Sequence, residues 1–424
     1  MPSKLEHPFK LNDKDFTRNR KLPLKRLITA ILSLVSSSGD CVDQKLNHFF
    51  SNAQRIGLSN GTQSVHKSAL TKAREKVPWQ VFEKILNKAV HLVNTLWPDT
   101  SPYLWEGMSI FAIDGSKYIL PATNKIRQMY DPNSGLQNEG KGHYPQARIV
   151  TAYDTLKEIP LALRMLCISG SERKAALDIL KTLEPGNVIL FDRGFPGYEF
   201  FVDFNRTYKG YFLMRCSTSS TFPSIENFIK SKKKDTLLYI HPSYRTKHNP
   251  ERRAKYGLKS ILVRAVKHKN KDGSINVFIT NLTDSNQFTY NKVIKLYDKR
   301  WGIEVQYRRD KSYLNIQKFH TKSINGIKQE LFAAAIMTII ARILVVFAAK
   351  EKKTTYEPQL KFAQNTLARD AAFLTAIDPI LAARAFNDIL NTITKVLYYK
   401  PKTPKPSQPR ISKWPRNKWK CKRG

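Results

Sequence analysis

The sequence predicts an α/β fold, because helical and strand-like hydrophobic patterns occupy separate parts of its 424 residues. Apolar side chains recur at helical spacing up to about residue 104. From about Ser109 they form alternating and continuous runs bounded by Gly, Pro, Asp or Asn, which is typical of strands. Hydrophobic residues make up 41% of the chain, enough for a sizeable core and two or three domains.

Residues 1–104 are predicted to form an N-terminal helical DNA-binding domain. Helical periodicity is clear in RLITAILSLV and in WQVFEKILNKAVHLVNTLW. A further helix is expected in SVHKSALTKAREK, with Lys67, Lys72, Arg74 and Lys76 exposed. This basic helix is interpreted either as a DNA-reading helix or as a solvated surface, and the sequence leaves both open.

Residues 105–216 are predicted to form the first part of a catalytic core. Ser171 is expected to cap a helix between the third and fourth strands, and a second helix is expected in YEFFVDFNR. This order predicts a mixed five-stranded sheet and matches a ribonuclease H-like core. The five strand-like runs are SIFAIDGSKYILP, QARIVTAYD, EIPLALRML, NVILFDRGF and GYFLMRC.

Changes in composition divide the rest of the chain. Residues 217–290 begin polar, pass through the basic run KSKKKD and then contain strand-like pieces, so a β-rich insertion is predicted. Residues 291–350 are expected to complete the core, and residues 351–400 to form a C-terminal helical region. Residues 401–424 are a basic, Pro-rich tail that is expected to be disordered until it meets a polyanion.

One apolar stretch, Phe332–Ala349, is about as long as the shortest membrane spans. Arg342 lies in its middle, charged flanks continue on both sides, and the sequence offers no second span. We therefore expect a buried core helix against which the sheet packs, and no membrane association.

The charge of the chain favours a polyanionic partner. Lys and Arg number 72 against 34 Asp and Glu, which gives a formal net charge of +38. A field of this sign attracts nucleic acid first and anionic membrane second. The N-terminal segment lacks the apolar run of a signal peptide, and the cysteines lack metal-site spacing, so reduced thiols in a cytoplasmic protein are expected. These cysteines are Cys41, Cys167, Cys216 and Cys421.

Four residues of YDKRWGIEVQYRRDKSYL are predicted to share one face of one helix. Tyr297, Arg300, Glu304 and Lys311 have offsets of 0, 3, 7 and 14, which place them within about 60° of arc. Glu304 is then a lone carboxylate among cations. Such a stripe is suited to holding a divalent metal beside a phosphate chain, whereas the alternative is a solvated helix face with a packed tyrosine.

Two aspartates follow apolar strand patterns. Asp114 is predicted to end the strand IFAID, and Asp192 to end the strand VILFD. If these strands are neighbours, the two carboxylates lie close together, and Glu304 approaches from the helix across the sheet. Three such groups repel one another unless a cation neutralises them, and their oxygen atoms suit Mg²⁺ or Mn²⁺. Taken alone, each Asp is more often a turn residue. Other acids compete for this role, and of these Asp154 and Asp203 are interpreted as structural: Asp131, Asp154, Glu158, Glu172 and Asp203.

These segments resemble a bacterial insertion-sequence transposase of the DDE class, in the subgroup with a Tyr–Arg–Glu–Lys signature and a β-rich insertion domain. FAIDGSKYILP, HYPQARIVTAYD, VILFDRGFPGYEFF and YDKRWGIEVQYRRDKSYLNIQKFH carry the resemblance, over roughly residues 105–350. It implies that Trp301 and Arg193 support or pack against the site. It further implies a catalytic, metal-binding triad of Asp114, Asp192 and Glu304. The phosphate backbone of the transposon end is then held by Tyr297, Arg300 and Lys311.

The resemblance implies Mg²⁺-dependent cut-and-paste transposition, with Mn²⁺ as a substitute. The expected partners are double-stranded DNA, as inverted-repeat ends and target, and a second copy of the chain in a homodimer. Residues 351–400 are a candidate dimerisation surface by resemblance alone. Two alternatives stay open: a ribonuclease H-like nuclease acting on branched or hybrid nucleic acid, and a domesticated DNA-binding protein without cleavage.

Overall fold

The structure is a computed structural model, and it places most of the chain. The predicted basic tail, residues 401–424, lies outside the described residues. The described residues are 11–12, 14–17, 21–36, 39–58, 64–97, 99–132, 144–218, 222–270, 272–352, 356–376 and 378–399.

The N-terminal part of the chain is helical, as the hydrophobic periodicity predicts. The four helices are α1 (Leu24–Ser33), α2 (Val42–Arg55), α3 (Lys67–Arg74) and α4 (Gln80–Leu96). Helices α1, α2 and α4 each bury an apolar face, and the buried side chains of α1 include Leu24, Leu27 and Ile31. The boundary of this region as a separate domain stays a prediction.

All five strands predicted for residues 105–216 are present, and so are both predicted helices between them. Ser171 begins α6, where its Oγ accepts a hydrogen bond from the backbone N–H of Lys174 at 3.3 Å. The elements are β1 (Ile110–Ile119), α5 (Asn124–Tyr130), β2 (Gln146–Asp154), β3 (Ile159–Cys167), α6 (Glu172–Leu180), β4 (Val188–Phe191), α7 (Tyr198–Thr207) and β5 (Tyr211–Cys216).

The sheet contains eight strands, so the prediction of a five-stranded sheet is wrong. Its order is β3-β2-β1-β4-β5-β8-β7-β6. The three added strands come from the segment predicted as an insertion, and β8 pairs antiparallel with β5 from Leu213↔Thr280 to Cys216↔Val277. Periodicity indicates strands but not their partners, and β5 alone would leave an open sheet edge. This segment comprises α8 (Pro223–Lys230), β6 (Asp235–Ile240), α9 (Tyr244–His248), α10 (Pro250–Tyr256), β7 (Ile261–Lys269) and β8 (Ile275–Thr280).

The C-terminal half returns to helices that cover the sheet. Two short strands pair with each other in a separate two-stranded sheet. The elements are α11 (Tyr290–Asp298), α12 (Trp301–Ser312), α13 (Ile324–Lys352), β9 (Tyr356–Pro358), α14 (Leu360–Arg369), α15 (Pro379–Ile393) and β10 (Leu397–Tyr399).

Helix α13 contains the apolar stretch and is a core helix, as predicted. Within the described residues it is the one helix long and apolar enough to cross a membrane, and 78% of its apolar window is buried inside the protein. It packs against α1, α4, α14 and strand β3. Arg342 is accommodated in this core because its Nε donates to the backbone carbonyl of Lys157 at 3.1 Å.

A buried ion pair joins the N-terminal helices to α13, and it corrects the prediction that Arg74 is exposed. Arg74 is 1% exposed. Its guanidinium bonds to Glu330 at 2.8 Å, to the side-chain oxygen of Gln329 at 3.0 Å and to the carbonyl of Gly326 at 3.0 Å. Burial raises the pKa of Glu330, but Arg74 and His320 together lower it to about 2. Lys67, Lys72 and Lys76 are exposed, as predicted.

We expect Arg74→Met to lower the free energy of unfolding by about 3–5 kcal/mol, because Glu330 would be left as an uncompensated buried charge. Lys72→Met in the same helix, at an exposed position, is the matched control and should change it by less than about 0.5 kcal/mol. Equilibrium denaturation in urea measures both. Equal effects of the two substitutions would contradict a structural role for the buried pair.

Helix α12 is fixed on β1 by buried polar groups. The Tyr118 hydroxyl donates to one carboxylate oxygen of Asp310 at 3.2 Å, and the Gln306 amide donates to the other at 2.8 Å. Burial raises the pKa of Asp310 to about 7, although these hydrogen bonds and Lys311 lower it in part. The Tyr307 hydroxyl donates to the backbone carbonyl of Asp114 at 2.7 Å. The helix is thereby tied to β1 at two levels.

A raised carboxyl pKa predicts a definite dependence of stability on pH. Asp310 has a folded-state pKa of about 7 against 3.8 unfolded, so its contribution is fully present below about pH 4 and lost as pH rises through 7. We expect Asp310→Asn to have nearly wild-type stability at pH 4 and to exceed it at pH 8, by at most about 4 kcal/mol. Denaturation at both pH values tests this. The exposed control Asp298→Asn should show no such divergence, and a D310N difference independent of pH would contradict the assignment.

Candidate active site

Strand register places Asp114 beside Asp192. Strands β1 and β4 are parallel neighbours, and Ala112 lies opposite Leu190. Asp114 lies two residues beyond Ala112, and Asp192, which directly follows β4, lies two residues beyond Leu190, so they are at the same level and on the same side of the sheet. The condition on which the proximity of the two carboxylates depends, that these strands are neighbours, is met. Asp114 does not end its strand, however, because β1 continues beside β2 to Ile119, past the end of β4.

Asp114 lies in a largely buried, acidic environment. Its Oδ1 accepts a hydrogen bond from the N–H of Gly115 at 2.8 Å, and its Oδ2 lies 3.4 Å from Nη1 of Arg300. Burial raises the pKa of Asp114 to about 6; Asp192 and Glu172 add to the rise, whereas Gly115 and Arg300 oppose it. A carboxylate in these surroundings is stabilised by a nearby cation.

Asp192 lies in the turn that connects β4 to α7. Its Oδ1 accepts from the N–H of Gly194 at 2.9 Å, which folds the Asp-Arg-Gly segment back on itself. Arg173 holds the same turn from α6, where it donates to the carbonyls of Gly194 at 2.9 Å and Pro196 at 3.0 Å. Arg193, expected either to support the site or to pack against it, is exposed and so does not fit the packing role.

The predicted single helix from Tyr297 to Lys311 is two helices, α11 and α12, with a tight junction at residues 299–300. Around the junction the N–H of Arg300 bonds the carbonyl of Tyr297 at 3.0 Å, three residues back rather than four. A regular pattern of side chains does not show such a local change in winding. Trp301, expected either to support the site or to pack against it, is 54% exposed.

Arg300 connects the catalytic candidates despite this break. Its guanidinium bonds Glu304 at 2.5 Å and Asp114 at 3.4 Å, and lies 5.7 Å from the centre of the Tyr297 ring. Two of the three predicted carboxylates therefore converge on one cation. Within the described ranges, no three His, Cys, Asp or Glu side chains are grouped closely enough to hold a metal ion.

Lys311 lies further along α12 and contacts Ser116, the next residue of β1 on the face that carries Asp114. Its ammonium donates to the hydroxyl of Ser116 at 2.6 Å and lies 4.8 Å from the centre of the Tyr118 ring. Asp114, Ser116 and Tyr118 are every second residue of β1, so their side chains lie on the same face of the sheet. Burial lowers the pKa of Lys311, and the neighbouring Asp310 opposes that shift.

Tyr297 lies on the other side of Arg300. Its ring packs 4.7 Å from the ring of Phe278 on β8, and burial raises its pKa to about 12. Arg215 on β5 lies opposite Phe278 in the sheet. Its positive charge opposes part of the rise in the pKa of Tyr297. The structure thus brings Tyr297, Arg300, Glu304 and Lys311 to one side of the sheet, where Asp114 and Asp192 lie.

Sequence reasoning missed several residues at this site. Glu172, a competing acid in the sequence, adds to the raised pKa of Asp114 but lies over the opposite face of β1, where a Cβ at Gly115 would lie 2.7 Å from its Oε1 and where it pairs with Arg148 at 3.0 Å. Arg215 of β5 follows Met214, which is level with the last residue of β4, and it adds a cation to the site. Tyr307 fixes the backbone of Asp114. Only knowledge of strand order would have identified Arg215. For Glu172, the glycine after Asp114 is a weak signal of a close approach.

Two competing acids have structural roles. Asp154 Oδ1 accepts from the N–H groups of Leu156 at 3.0 Å and Lys157 at 2.8 Å, as expected of a residue in the β2–β3 turn. Asp131 accepts from the N–H of Gln146 at 2.9 Å. Asp203, interpreted as structural, lies on α7 and is half-buried.

Comparison with known proteins gives transposases. The sequence matches the family described as Transposase DDE domain over residues 105–340. It is 21% identical over 353 residues to "Transposase InsG for insertion sequence element IS4" of Escherichia coli (strain K12), which covers 82% of this chain and 75% of that protein. It is 24% identical over 160 residues to the "Putative transposase InsZ" of the same organism, covering 36% of this chain and 52% of that one.

Among solved structures, a cryo-EM structure of a piggyBac transposase synaptic complex with hairpin DNA aligns with a TM-score of 0.44 and 12% identity. The alignment covers 90% of this chain and 77% of that one. The family match extends over more than half of the 424 residues and includes Asp114, Asp192 and the α11–α12 segment. The chain therefore belongs to the DDE transposase family and is a DNA transposase, an enzyme that cleaves DNA and transfers its strands.

Proposed function

We propose that this transposase moves an insertion sequence by metal-dependent cut-and-paste, with Asp114, Asp192 and Glu304 as its catalytic carboxylates in a ribonuclease H-like core. The observation that carries the proposal is the convergence of these groups: the β1–β4 register brings the two aspartates to the same level, and Arg300 links Asp114 to Glu304. The sequence resemblance to the Tyr–Arg–Glu–Lys subgroup supports the same assignment.

The donor set suits a hard divalent cation. Asp114, Asp192 and Glu304 offer carboxylate oxygens, the ligands that Mg²⁺ prefers, and the pairing of Asp114 and Glu304 with Arg300 supports positive charge at this place. DDE transposases generally use divalent metal ions. Mg²⁺, or Mn²⁺ in its place, would activate the attacking oxygen and stabilise the leaving 3′-oxygen.

The cations of α11–α12 are proposed to hold the DNA strand at the reacting phosphate. Arg300 presents a planar guanidinium that can fork onto two phosphate oxygens, and Lys311 adds a point charge next to Ser116. Tyr297, with its pKa raised to about 12, stays protonated and can donate one hydrogen bond. Tyr307 and Ser116 position these groups rather than react.

On the strand that is transferred, the proposed reaction consists of two phosphoryl transfers. Water first attacks a phosphodiester at the transposon end, which breaks the P–O3′ bond and frees a 3′-hydroxyl. That hydroxyl then attacks a target phosphodiester: its oxygen forms the new bond, loses its proton, and the target 3′-oxygen leaves and takes up a proton. No covalent enzyme intermediate is required.

The two ends of the transposon must be cut and joined together, so a homodimer is proposed. Residues 351–400 are a candidate contact surface. Within this region α14 and α15 pack against α13. The chain is proposed to act in the bacterial cytoplasm, bound to nucleoid DNA.

Glu304→Ala should abolish cutting at the repeat boundary while DNA binding persists, because it removes a proposed metal ligand. The measurement is cleavage of a fragment that carries the gene's own flanking inverted repeat, with Mg²⁺, Mn²⁺ or Ca²⁺. Asp178→Ala, an exposed carboxylate on α6, is the matched control and should cut normally.

The alternatives give different results in the same assay. Cutting that is indifferent to the repeat would favour the nuclease. Binding without cutting under every metal would favour the domesticated DNA-binding protein. Full activity of Glu304→Ala would refute the assignment of this triad.

Lys311→Gln is expected to weaken binding to cleaved ends about tenfold while metal affinity is unchanged, because one charge-assisted contact to phosphate is lost. Fluorescence anisotropy with a pre-cleaved end and calorimetric titration of Mn²⁺ separate the two effects. Lys318→Gln, an exposed lysine beyond the end of α12, is the control. Equal loss of metal affinity in Lys311→Gln would count against a phosphate role.

A further inference from the structure

The three added strands, β8, β7 and β6, widen the sheet, and their ends continue the end of the sheet at which Asp192 lies. Phe191, next to Asp192, lies level with Met214 on β5, and Met214 with Ile279 on β8. The same level continues through Ala265 on β7 to Thr236 on β6. Four strand steps of about 4.8 Å place the start of β6 about 19 Å from Asp192, at the same edge.

A run of three lysines lies at that point. Lys232, Lys233 and Lys234, which we call the lysine turn, connect α8 to β6 immediately before Asp235, and all three are exposed. In the sequence these lysines belong to the basic run KSKKKD, which by itself does not indicate a position in the fold. Strand order is what brings it to the edge that carries Asp192.

The lysine turn is held in place by Lys267 of β7. The ammonium of Lys267 donates to the carbonyls of Ser231 at 2.7 Å, Ile229 at 2.9 Å and Phe228 at 3.3 Å, which are the last carbonyls of α8 and its cap. The N–H of Lys267 also bonds the carbonyl of Lys234 at 2.7 Å. The backbone of the turn is thus fixed while its side chains face solvent.

The charges of the lysine turn are not compensated locally. The adjacent carboxylate, Asp235, is directed inward to the buried guanidinium of Arg264, with contacts of 2.8 and 2.5 Å. Across the part of the chain that the structure describes, the three lysines form no ion pair within 4.0 Å. Three adjacent ammonium groups on a fixed turn repel one another, and an external polyanion relieves that repulsion.

We propose that the lysine turn binds backbone phosphates of the DNA duplex that leaves the active site. The inference rests on the proposed function, because it takes the reacting phosphate to lie at Asp114 and Asp192. A distance of about 19 Å corresponds to five or six base pairs of B-DNA, about half a helical turn. The turn contacts phosphates and reads no sequence, so it sets the path of the duplex and the affinity.

The salt dependence of binding tests this directly. The variant is Lys232→Gln/Lys233→Gln/Lys234→Gln, and the control Lys181→Gln/Lys209→Gln/Lys259→Gln removes the same charge at the opposite sheet edge, where β4, β5 and β7 begin. The probe is a duplex with the element's own end, titrated at several NaCl concentrations. The slope of log K against log[NaCl] should fall in magnitude by about two to three in the variant, since each lost phosphate contact removes about 0.9. It should stay near the wild-type value in the control.

Shortening the duplex locates the contact. On one side of the scissile phosphate, the length of the duplex arm should matter. The difference in salt slope between variant and wild type should be full when that arm has about ten base pairs and should vanish when it has about three. Equal slopes for the variant and the control, or a deficit that persists with the shortest arms on both sides, would overturn the inference.

Failure of the proposed function is a separate result. In that case the wild-type protein would not cut the element's end with Mg²⁺ or Mn²⁺, whatever the slopes. Cutting by the wild type with no difference at the lysine turn refutes the further inference alone.

Discussion

The parallel pairing of β1 with β4 is the constraint on which the site depends. Parallel register fixes Asp114 and Asp192 at one level, and a shift of one residue would turn one carboxylate to the opposite face. The pairing is secured from both sides, because β2 continues along β1 beyond the end of β4 and β5 lies along the other side of β4. The carboxylates are thus held together against their own repulsion by backbone hydrogen bonds that do not involve them.

The charge that this arrangement concentrates is balanced by one residue of the covering helices. Arg300 lies where α11 meets α12, and the tight winding there brings its guanidinium to both Asp114 and Glu304. Asp310 and Tyr307, on the buried side of α12, anchor the helix to Tyr118 and to the backbone of β1. If Asp114 and Glu304 are metal ligands, as proposed, the cation that joins them would also lie next to the reacting phosphate, and metal binding and DNA binding would share one electrostatic centre.

Local features of this fold follow from the sequence, and pairing does not. Five strands, the Ser171-capped helix and the burial of α13 were predicted because periodicity and caps report on nearest neighbours in the chain. The strands of residues 217–290 were also recognised, but alternation could not show that β8 adds to β5. Arg74 was predicted to be exposed because its partner Glu330 lies 256 residues away, and the α11–α12 break was missed because a side-chain pattern does not record a change in winding.

The addition of β8, β7 and β6 has a consequence for the use of charge. A five-stranded sheet would end at β5, next to Arg215, and its edge would need protection. Extending it covers that edge and lengthens the surface that begins at the carboxylates, so that cations far apart in sequence lie along one line. The net charge of +38 is therefore not only a diffuse attraction to DNA. Because Asp235 pairs with Arg264, the positive charge of the lysine turn is local and uncompensated. Phosphates held there would orient the duplex about half a helical turn away from the reacting bond.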